Sequence, residues 1–441
     1  DYLRQSGIRT GVVGKTHMRP DLEGMSRLGI TKDTEIGLVI SEPGFDPYER
    51  DDGLHPNNQI KNSKKTLSYN EWLNKLGYDG PNPWNDWANS AEGENGEILS
   101  GWRLRNSNKA ARIPEKHSET AFMTNRAMEF IEESKDKPWF LHLSYIKPHW
   151  PYMAPNPYHA LYSTEDIIPA IISDRELLDR HPVVSAFGYH EESINFSRDE
   201  CRTRVIPAYM GLISELDFHI GRLIDFLKIR GDLDNTVIVL TSDHGDYLGD
   251  HWLGEKELFY ETAIRIPMII VHPDKRAAKT RGKSNENFVE SIDLLPTFIE
   301  VAGCQDSHDH WLEGRSLLPL IYGEEAEWRN AVFCESDYSV RQARHSLKRG
   351  PEECRAFMIR TNTWKYVYFD GFAPQLFNLE EDPDEMNDLG KSETHKDIRE
   401  QLFRKLFDWM RTRKLRPALS NKEIASRTGK GKQRGYLIGV W

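Results

Sequence analysis

The sequence predicts an α/β fold, because strand-length apolar runs alternate with segments of helical spacing. Residues 237–241 and 265–270 are two such runs, and a long polar loop separates them. A third run at residues 137–145 follows a helical pattern and contains Pro138, which stops a helix. From about residue 331 the pattern changes to short strands. We therefore expect a large α/β domain followed by a smaller C-terminal part.

The composition is that of an ordinary globular chain and excludes several classes of protein. The 441 residues can bury a large core, and 38% of them are hydrophobic and 29% charged. A net charge of −11 argues against nucleic acid as the main partner, because a duplex binder needs a basic face. No apolar run reaches the ~18 residues of a membrane span. The cysteines are too few and scattered for a disulfide framework: Cys201, Cys304, Cys334 and Cys354.

The polar loop between the two central strands is the first candidate site. Its first strand ends abruptly at the string SDHG, residues 242–245, and Asp and His are side chains that ligate a divalent metal. Ligands of open α/β sheets bind at the carboxyl ends of strands, where this pair would lie. The alternative is that Asp243 caps a turn and that His244 is a loop histidine, and these four residues alone favour it. The further polar residues at 249–256 favour a function, because such a loop rarely connects core strands without one.

Polar side chains also follow two other predicted strands. A strand ending at Gly14 would direct Lys15 and His17 to the same side, where they could hold a nucleophile and an ester oxyanion. The strand over 137–145 leads to His149, whose flanking prolines fix the backbone and suit a preorganised catalytic group. The alternatives are an incidental histidine in a solvated loop for the first segment and a structural histidine for the second.

The order of these segments resembles the sulfatase family of the alkaline-phosphatase superfamily. The resemblance rests first on SDHG, GDH, the lone lysine of GEK, YE and RIP between residues 242 and 267. Further segments follow in the family's order: GKTH at 14–17, PHWPY at 148–152, SIDLLPT at 291–297 and EDPDE at 381–385. Close relatives in that superfamily are arylsulfatases, choline-sulfatase-like enzymes and phosphonate monoester hydrolases.

The resemblance implies an alkaline-phosphatase-like fold. A mixed, mainly parallel sheet sandwiched by helices would occupy residues 1–330, and a smaller α+β domain with an antiparallel sheet would occupy residues 331–441. A helix from about residue 395 to 411 should pack on the second sheet through the apolar face marked by Leu402, Leu406 and Trp409.

The resemblance also implies hydrolysis of a sulfate ester at one divalent metal ion, with a phosphonate or phosphate ester as the alternative substrate. Asp243 and His244 would bind the metal, for which Ca²⁺ is expected and Mn²⁺ is the alternative. The remaining site residues that the resemblance carries over are Lys15, His17, His149 and Lys256. His149 would hydrogen-bond the ester or help protonate the leaving group, and Lys256 would neutralise oxyanions together with the metal.

One part of the family's pattern is absent from this sequence. The formylglycine nucleophile arises from the cysteine of a Cys-x-Pro/Ala-x-Arg motif, and none of the four cysteines stands in that motif. The acidic metal ligands of a first strand are absent too. We therefore expect the N-terminal part of the catalytic domain to be missing and the chain as given to be inactive, or to be a non-catalytic relative that binds anions. Without an initiator Met or a signal peptide, cytoplasmic and periplasmic locations both remain open.

The other segments are expected to shape the fold and the pocket. Residues 20–115 are rich in loops and contain four clustered tryptophans, which would build pocket walls and set substrate choice. Residues 209–227 predict an amphipathic helix with Asp217 on its face. Ser291 should cap the helix that starts near it, with Asp293 in the first turn as a structural residue.

The expected partners are a small anionic ester and a second copy of the chain. The tail from residue 411 to residue 441 is basic and ends in an apolar string. It is interpreted as a solvated arm, or as a segment that docks on a neighbouring subunit of a homo-oligomer.

Overall fold

The computed structural model describes residues 2–16, 20–32, 34–51, 67–135, 137–304, 311–414, 421–428, 430 and 433. The chain divides into two compact units, each built from several segments. The first unit comprises Asp1–Ile172, Glu191–Thr236 and Tyr247–Glu255, and the second comprises Ser173–His190, Val237–Asp246 and Lys256–Trp441. The polar loop after residue 241 therefore contributes to both units. The predicted domain boundary at residue 330 follows a different criterion, the start of the C-terminal strands, and stays a prediction.

The helices and strands have the following bounds. The α-helices are α1 (Tyr2–Gln5), α2 (Leu22–Arg27), α3 (Glu35–Ser41), α4 (Ser68–Lys75), α5 (Glu119–Ser134), α6 (Asp174–Leu178), α7 (Pro182–Gly188), α8 (Glu191–Phe196), α9 (Asp199–Arg230), α10 (Glu261–Ile264), α11 (Leu294–Val301), α12 (Leu318–Tyr322), α13 (Gln342–Ser346), α14 (Lys396–Arg411) and α15 (Asn421–Arg427). The strands are β1 (Arg9–Gly14), β2 (Asp46–Arg50), β3 (Ser90–Glu92), β4 (Ile98–Ser100), β5 (Trp139–Ser144), β6 (Ile238–Thr241), β7 (Met268–Val271), β8 (Val332–Asp337), β9 (Arg355–Arg360), β10 (Trp364–Phe369) and β11 (Gln375–Asn378). Among the described residues no helix combines the length and the hydrophobicity needed to span a bilayer.

The first unit contains a parallel sheet with β1 between β2 and β5. Both pairings are parallel, and Gly14 at the end of β1 is the partner of Ser144 at the end of β5. The carboxyl ends of these two strands therefore lie side by side at one edge of the sheet. Val12 and Val13 are fully buried, as the apolar pattern of the strand requires.

Helix α5 packs on this sheet as predicted. Its N-cap residue Ser118 accepts a hydrogen bond from the backbone N–H of Ala121 at 3.1 Å. Phe130 on its inner face is fully buried and lies over Gly11, where an added Cβ would come within 2.3 Å of the ring. Only glycine therefore allows the helix to approach the strand this closely.

Helix α9 is longer than predicted and buries polar residues as well as apolar ones. It runs for 32 residues and includes Pro207, whereas the periodicity predicted a helix over residues 209–227 only. Asp217 is exposed on the helix surface, as predicted. Glu215 and His219 are buried on the same helix, while Ile213 is 44% exposed. The apolar stripe of the sequence therefore does not coincide with the buried face.

The second unit contains two antiparallel sheets. Strands β6 and β7 form a pair, and β8 to β11 form a four-stranded sheet in the order β11-β10-β9-β8. Helix α14 covers the four-stranded sheet, with Leu402 and Leu406 packed against Ile359 and Tyr366. The predicted antiparallel sheet and its covering helix are confirmed.

The predicted capping role of Ser291 is wrong. A short 3₁₀ turn, Ser291–Asp293, precedes α11, and the N-cap residue of α11 is Asp293 rather than Ser291. The backbone N–H of Glu290 donates to Oδ2 of Asp293 at 2.8 Å. Asp293 is fully buried and forms an ion pair with Arg329. Arg329 lies 36 positions further along the chain, so capping rules, which consider only neighbouring residues, could not predict this ion pair.

A fully buried lysine links the four-stranded sheet to the segment that follows Lys256. The ammonium of Lys365 lies 2.8 Å from Glu261 Oε1 and 2.6 Å from Glu385 Oε1, and it donates to the carbonyl of Phe259 at 2.9 Å. The backbone N–H of Glu261 also donates to Glu385 at 2.6 Å. These contacts hold the start of α10 against β10.

Replacing Lys365 with methionine should destabilise the protein strongly. The buried carboxylate of Glu385 would lose the ammonium of Lys365, while the half-buried Glu261 would keep Arg360 at 3.4 Å. Breaking a buried pair costs about 3–5 kcal/mol. Urea unfolding followed by tryptophan fluorescence measures the change. The control is Lys391→Met, because the Lys391 side chain is 61% exposed where it pairs with Asp179, and a surface pair contributes at most about 1 kcal/mol. Equal effects of the two substitutions would contradict the assignment.

Candidate functional site

The second unit presents an aspartate and a histidine immediately after strand β6. The Nε2 atom of His244 lies 3.5 Å from Oδ2 of Asp243, and its Nδ1 atom lies 2.7 Å from the carbonyl oxygen of Gly245. Because a carbonyl oxygen only accepts, Nδ1 carries the hydrogen, and in the neutral ring the lone pair is on Nε2. This is the tautomer and orientation of a metal-ligating histidine that a backbone carbonyl holds in place.

The turn-capping alternative accounts for only one oxygen of Asp243. Oδ1 accepts a hydrogen bond from the backbone N–H of His244 at 3.1 Å, which is a local turn contact. Oδ2 faces the histidine ring instead, and the Asp243 side chain is 80% exposed. The pair can therefore offer one carboxylate oxygen and one imidazole nitrogen to the same ion.

The turn is pinned to the segment that follows Lys256. Gly245 donates to the carbonyl of Ala263 at 2.8 Å, and an added Cβ at this glycine would lie 1.9 Å from the carbonyl oxygen of Thr262. Only glycine fits this close approach. The final residue of the string SDHG is therefore required for packing, and its middle two residues are the candidate metal ligands.

Lys256 is half-buried, and the carboxylates beside it have other partners. The sequence offered Glu255 and Glu257 as its acidic neighbours. Glu255 accepts a hydrogen bond from the indole of Trp150 in the first unit, and Glu257 forms an ion pair with Arg341 in the second. Each flanking glutamate thus has a partner besides Lys256.

The first unit brings together two of the predicted site segments. Lys15 follows β1 directly, and its backbone N–H donates to the carbonyl of Ser144 at the end of β5 at 3.1 Å. His149 lies five residues beyond β5, where its Nδ1 atom is 3.1 Å from the carbonyl oxygen of Trp150. Both residues thus leave the same edge of the parallel sheet. His17, the other predicted member of this group, lies outside the described residues.

The tryptophan-rich segment packs its rings together and lines a cavity in the first unit, and its role in substrate choice stays a prediction. The Trp102 ring lies 5.2 Å from the Trp150 ring and 6.1 Å from the Trp84 ring. A cavity of about 620 Å³ is also lined by this segment and by the chain beyond β5, including Trp87, Lys109, Arg112, Asn156 and His159. The Arg112 guanidinium stacks on the Trp87 ring at 4.0 Å.

Sequence reasoning missed three buried titratable residues that interact with one another, one of which lies two positions before His149. Lys147, Glu119 and Glu215 are 6%, 4% and 1% exposed, respectively. Burial lowers the pKa of the Lys147 ammonium to about 8 and raises the pKa of Glu215 to about 7. Lys147 could have been noticed, because it immediately precedes Pro148 and His149 at a strand end.

The donor set fits part of a metal site. Asp243 supplies an oxygen ligand and His244 supplies a nitrogen ligand. Together they provide part of the ligand set that a divalent ion such as Ca²⁺ or Mn²⁺ needs. Within the portion of the chain that the structure describes, no cluster of three or more His, Cys, Asp or Glu side chains forms a complete metal site. The two residues therefore act at most as a partial ligand set.

Two family models match the chain and together cover nearly all of it. Residues 1–304 match the model described as Sulfatase, and residues 249–412 match the model described as N-sulphoglucosamine sulphohydrolase, C-terminal. The chain belongs to the sulfatase family. The resemblance drawn from its motifs is confirmed.

Curated relatives of this sulfatase-family chain include enzymes with different names. It is 33% identical over 321 residues to the multifunctional alkaline phosphatase superfamily protein PehA of Trinickia caryophylli, covering 69% of this chain and 61% of the relative. It is 30% identical over 292 residues to choline-sulfatase of Rhizobium meliloti, covering 63% of this chain and 52% of the relative. The chain thus spans between about half and two-thirds of the length of these relatives.

Solved structures confirm the predicted fold class. Phosphonate monoester hydrolase SpPMH from Silicibacter pomeroyi superposes with a TM-score of 0.78 at 24% identity, covering 96% of this chain and 82% of that chain. At this identity the likeness establishes the fold and nothing further. The α/β fold of the alkaline-phosphatase superfamily, with its C-terminal antiparallel sheet, is the fold of this protein.

Replacing Asp243 with asparagine should weaken metal binding at least about tenfold, because the substitution removes a charged oxygen ligand while keeping the side chain's shape. Isothermal titration calorimetry with CaCl₂ and with MnCl₂ on the chain 1–441 measures the affinity. Asp217→Asn on the exposed face of α9 is the matched control and should leave it unchanged. If the metal affinity of the Asp243 variant is unaltered, Asp243 only caps the turn and does not bind the metal.

Proposed function

We propose that this protein is a hydrolase of sulfate esters that uses one divalent metal ion. The observation that carries the proposal is the Asp243–His244 pair at the end of β6, with the histidine held as the tautomer that can ligate a metal. Family membership supports it, as do relatives named arylsulfatase and choline-sulfatase. Ca²⁺ is the proposed ion, with Mn²⁺ as the alternative.

Each candidate residue has a proposed role toward the ester. Asp243 and His244 would hold the metal, which when bound supplies Lewis-acid stabilisation of the ester oxygens. Lys15 and Lys256 would place ammonium groups against the charge that develops on those oxygens. His149 would hydrogen-bond the ester or donate a proton to the leaving group.

The nucleophile is not among the cysteines of this sequence. None of them stands in the Cys-x-Pro/Ala-x-Arg motif, and burial raises the pKa of Cys201 and of Cys334 to about 11. A thiol with so high a pKa is a poor nucleophile near neutral pH. The residues present therefore do not fit a formylglycine, and no step of the reaction is assigned to one.

Phosphonate monoesters are the second proposed substrate class. The relative named multifunctional alkaline phosphatase superfamily protein PehA favours a substrate class other than sulfate esters. Sulfate monoesters and phosphonate monoesters both present a tetrahedral centre with one negative charge, so the same metal and ammonium groups suit both. Binding of an anionic ligand without turnover is the competing reading.

Assays with 4-nitrophenyl sulfate and 4-nitrophenyl phenylphosphonate test the proposal. The chain 1–441 should turn over neither compound, because its cysteines offer no formylglycine, whereas the protein expressed from its complete gene should hydrolyse the sulfate with the higher kcat/KM. EDTA should abolish this activity and added metal should restore it. Chelator-sensitive turnover by 1–441 would contradict the first expectation, and a higher kcat/KM for the phosphonate would establish the second substrate class instead. Binding without turnover by the complete gene product would favour the non-catalytic reading.

Lys256→Ala in the protein expressed from its complete gene should lower kcat/KM by 10²–10³, or about 3 kcal/mol, at unchanged metal content. The reason is that the ammonium stabilises charge that grows toward the transition state. Steady-state kinetics and elemental analysis measure the two quantities. Lys405→Ala on the exposed face of α14 is the control, with no expected change. A loss below about threefold would show that Lys256 does not stabilise the transition state.

A further inference from the structure

The cavity of the first unit contains more positive than negative charge. Its volume of about 620 Å³ falls within the range of roughly 300–1,000 Å³ that small-molecule sites occupy. Lys109 and Arg112 line it with permanent cations, and Glu92 is the one carboxylate among the described residues that line it. The lining side chains therefore have an excess of one positive charge when His159 is neutral.

Backbone hydrogen bonds hold the segments that carry these side chains. The N–H of Arg112 donates to the carbonyl of Ser90 at 3.0 Å, and the N–H of Ala111 donates to the carbonyl of Ala154 at 2.9 Å. Pro114 and Asn156 form a parallel β-bridge. The segment 108–114 is thus fixed between strand β3 and the chain beyond β5, and the shape of the cavity is part of the fold of the first unit.

The protein uses only part of the hydrogen-bonding capacity of Arg112. Its guanidinium lies 4.0 Å from the centre of the Trp87 ring, and Nη1 donates to the carbonyl of Asp86 at 2.8 Å. The carboxylate of Asp86 accepts from the side chain of Asn85 at 2.7 Å instead. A guanidinium has five N–H donors, and Arg112 forms no ion pair with the residues that the structure describes. It therefore keeps donors and a full positive charge for a ligand.

Four further polar side chains line the cavity without structural contacts of their own. The side chains of Lys109, His159, Asn108 and Asn156 form no hydrogen bond or ion pair within the described part of the chain. Nδ1 of His159 is buried, so Nε2 is the ring nitrogen that can reach a ligand. Each asparagine offers an amide that can both donate and accept a hydrogen bond.

We propose that this cavity binds a small organic anion that carries hydroxyl groups, such as a sugar acid or a sugar sulfate. Arg112 and Lys109 bind the oxyanion, and Asn108 and Asn156 hydrogen-bond the hydroxyl groups. The proposal does not depend on the hydrolysis of esters, and none of these residues belongs to the candidate active site.

The alternative is that Arg112 only holds Trp87 in place. That role accounts for the stacking on the ring and for the hydrogen bond to Asp86. It does not account for the second cation, Lys109, which lines the same cavity and has no structural contact there among the described residues. A ligand with one negative charge balances the excess of the two cations over Glu92, whereas a neutral ligand leaves it uncompensated.

Isothermal titration calorimetry of the chain 1–441 with three sugars tests the class of ligand. The probes are sodium glucuronate, the sodium salt of glucose 6-sulfate, and neutral glucose, all in EDTA so that no metal is bound. At least one of the anions should bind at least about tenfold more tightly than glucose, because hydrogen bonds to a charged group are stronger than those to a neutral one. Glucuronate alone would identify a carboxylate and glucose 6-sulfate alone a sulfate. Absence of binding by both anions, or equal affinity for glucose, would overturn the proposal.

Variants locate the binding. Arg112→Gln and Lys109→Gln should each weaken the better anion at least about tenfold, because each removes a cation from the cavity. Arg103→Gln is the matched control, because Arg103 is exposed, belongs to the same segment and does not line the cavity. Unchanged affinity in both cavity variants would overturn the proposal.

Two further measurements keep the test decisive. A urea unfolding curve shows whether Arg112→Gln folds, and if it does not, Lys109→Gln decides alone, because its side chain has no structural contact among the described residues. Lys256→Ala distinguishes the cavity from the candidate active site. A loss of affinity in Lys256→Ala together with full affinity in the cavity variants would place the anion at the active site and overturn the proposal.

Discussion

Compensation of buried charge is the constraint on which both units of this protein depend. In each unit a fully or nearly buried lysine lies between two glutamates: Lys147 with Glu119 and Glu215, and Lys365 with Glu261 and Glu385. Each lysine also donates to a backbone carbonyl, that of Pro151 or that of Phe259. The two lysines therefore hold the chain next to His149 and the chain just after Lys256. A hydrophobic side chain could fill the same volume, but it could not bind these carbonyls.

The candidate chemistry lies where strands end, and this follows from the geometry of the sheets. A strand buries its own polar backbone in the ladder, so side chains that must meet a ligand project from the residues just beyond it. Lys15 and the His149 loop leave the same edge because β1 and β5 are parallel and in register up to Gly14 and Ser144. Asp243 and His244 leave β6 in the second unit, and Gly245 allows their turn to pack against Thr262.

Family membership and chemistry are separate conclusions for this chain. The match over residues 1–304 establishes the sulfatase family, and the likeness to solved structures establishes the fold. The reaction is proposed on the residues themselves: one oxygen and one nitrogen ligand, two lysines and a histidine of suitable chemistry. Sulfate and phosphonate esters have similar shape and charge, so the proposed metal and ammonium groups suit both.

The sequence alone determined the elements whose signals are local. Apolar runs predicted β5 and β6, and helical spacing predicted α5. The pattern beyond residue 331 predicted β8 to β11 and α14, because periodicity depends on neighbouring residues only. Motif order also supplied the family and the candidate site residues, which remain predictions: Lys15, His17, His149, Asp243, His244 and Lys256. Only the tertiary structure showed that Lys147, Glu119 and Glu215 are buried together, that Asp293 pairs with Arg329, and that α9 buries Glu215 and His219. A charged residue can be buried only when its partners are present, and here those partners come from distant parts of the chain, as Asn89 and Lys147 do at a separation of 58 residues.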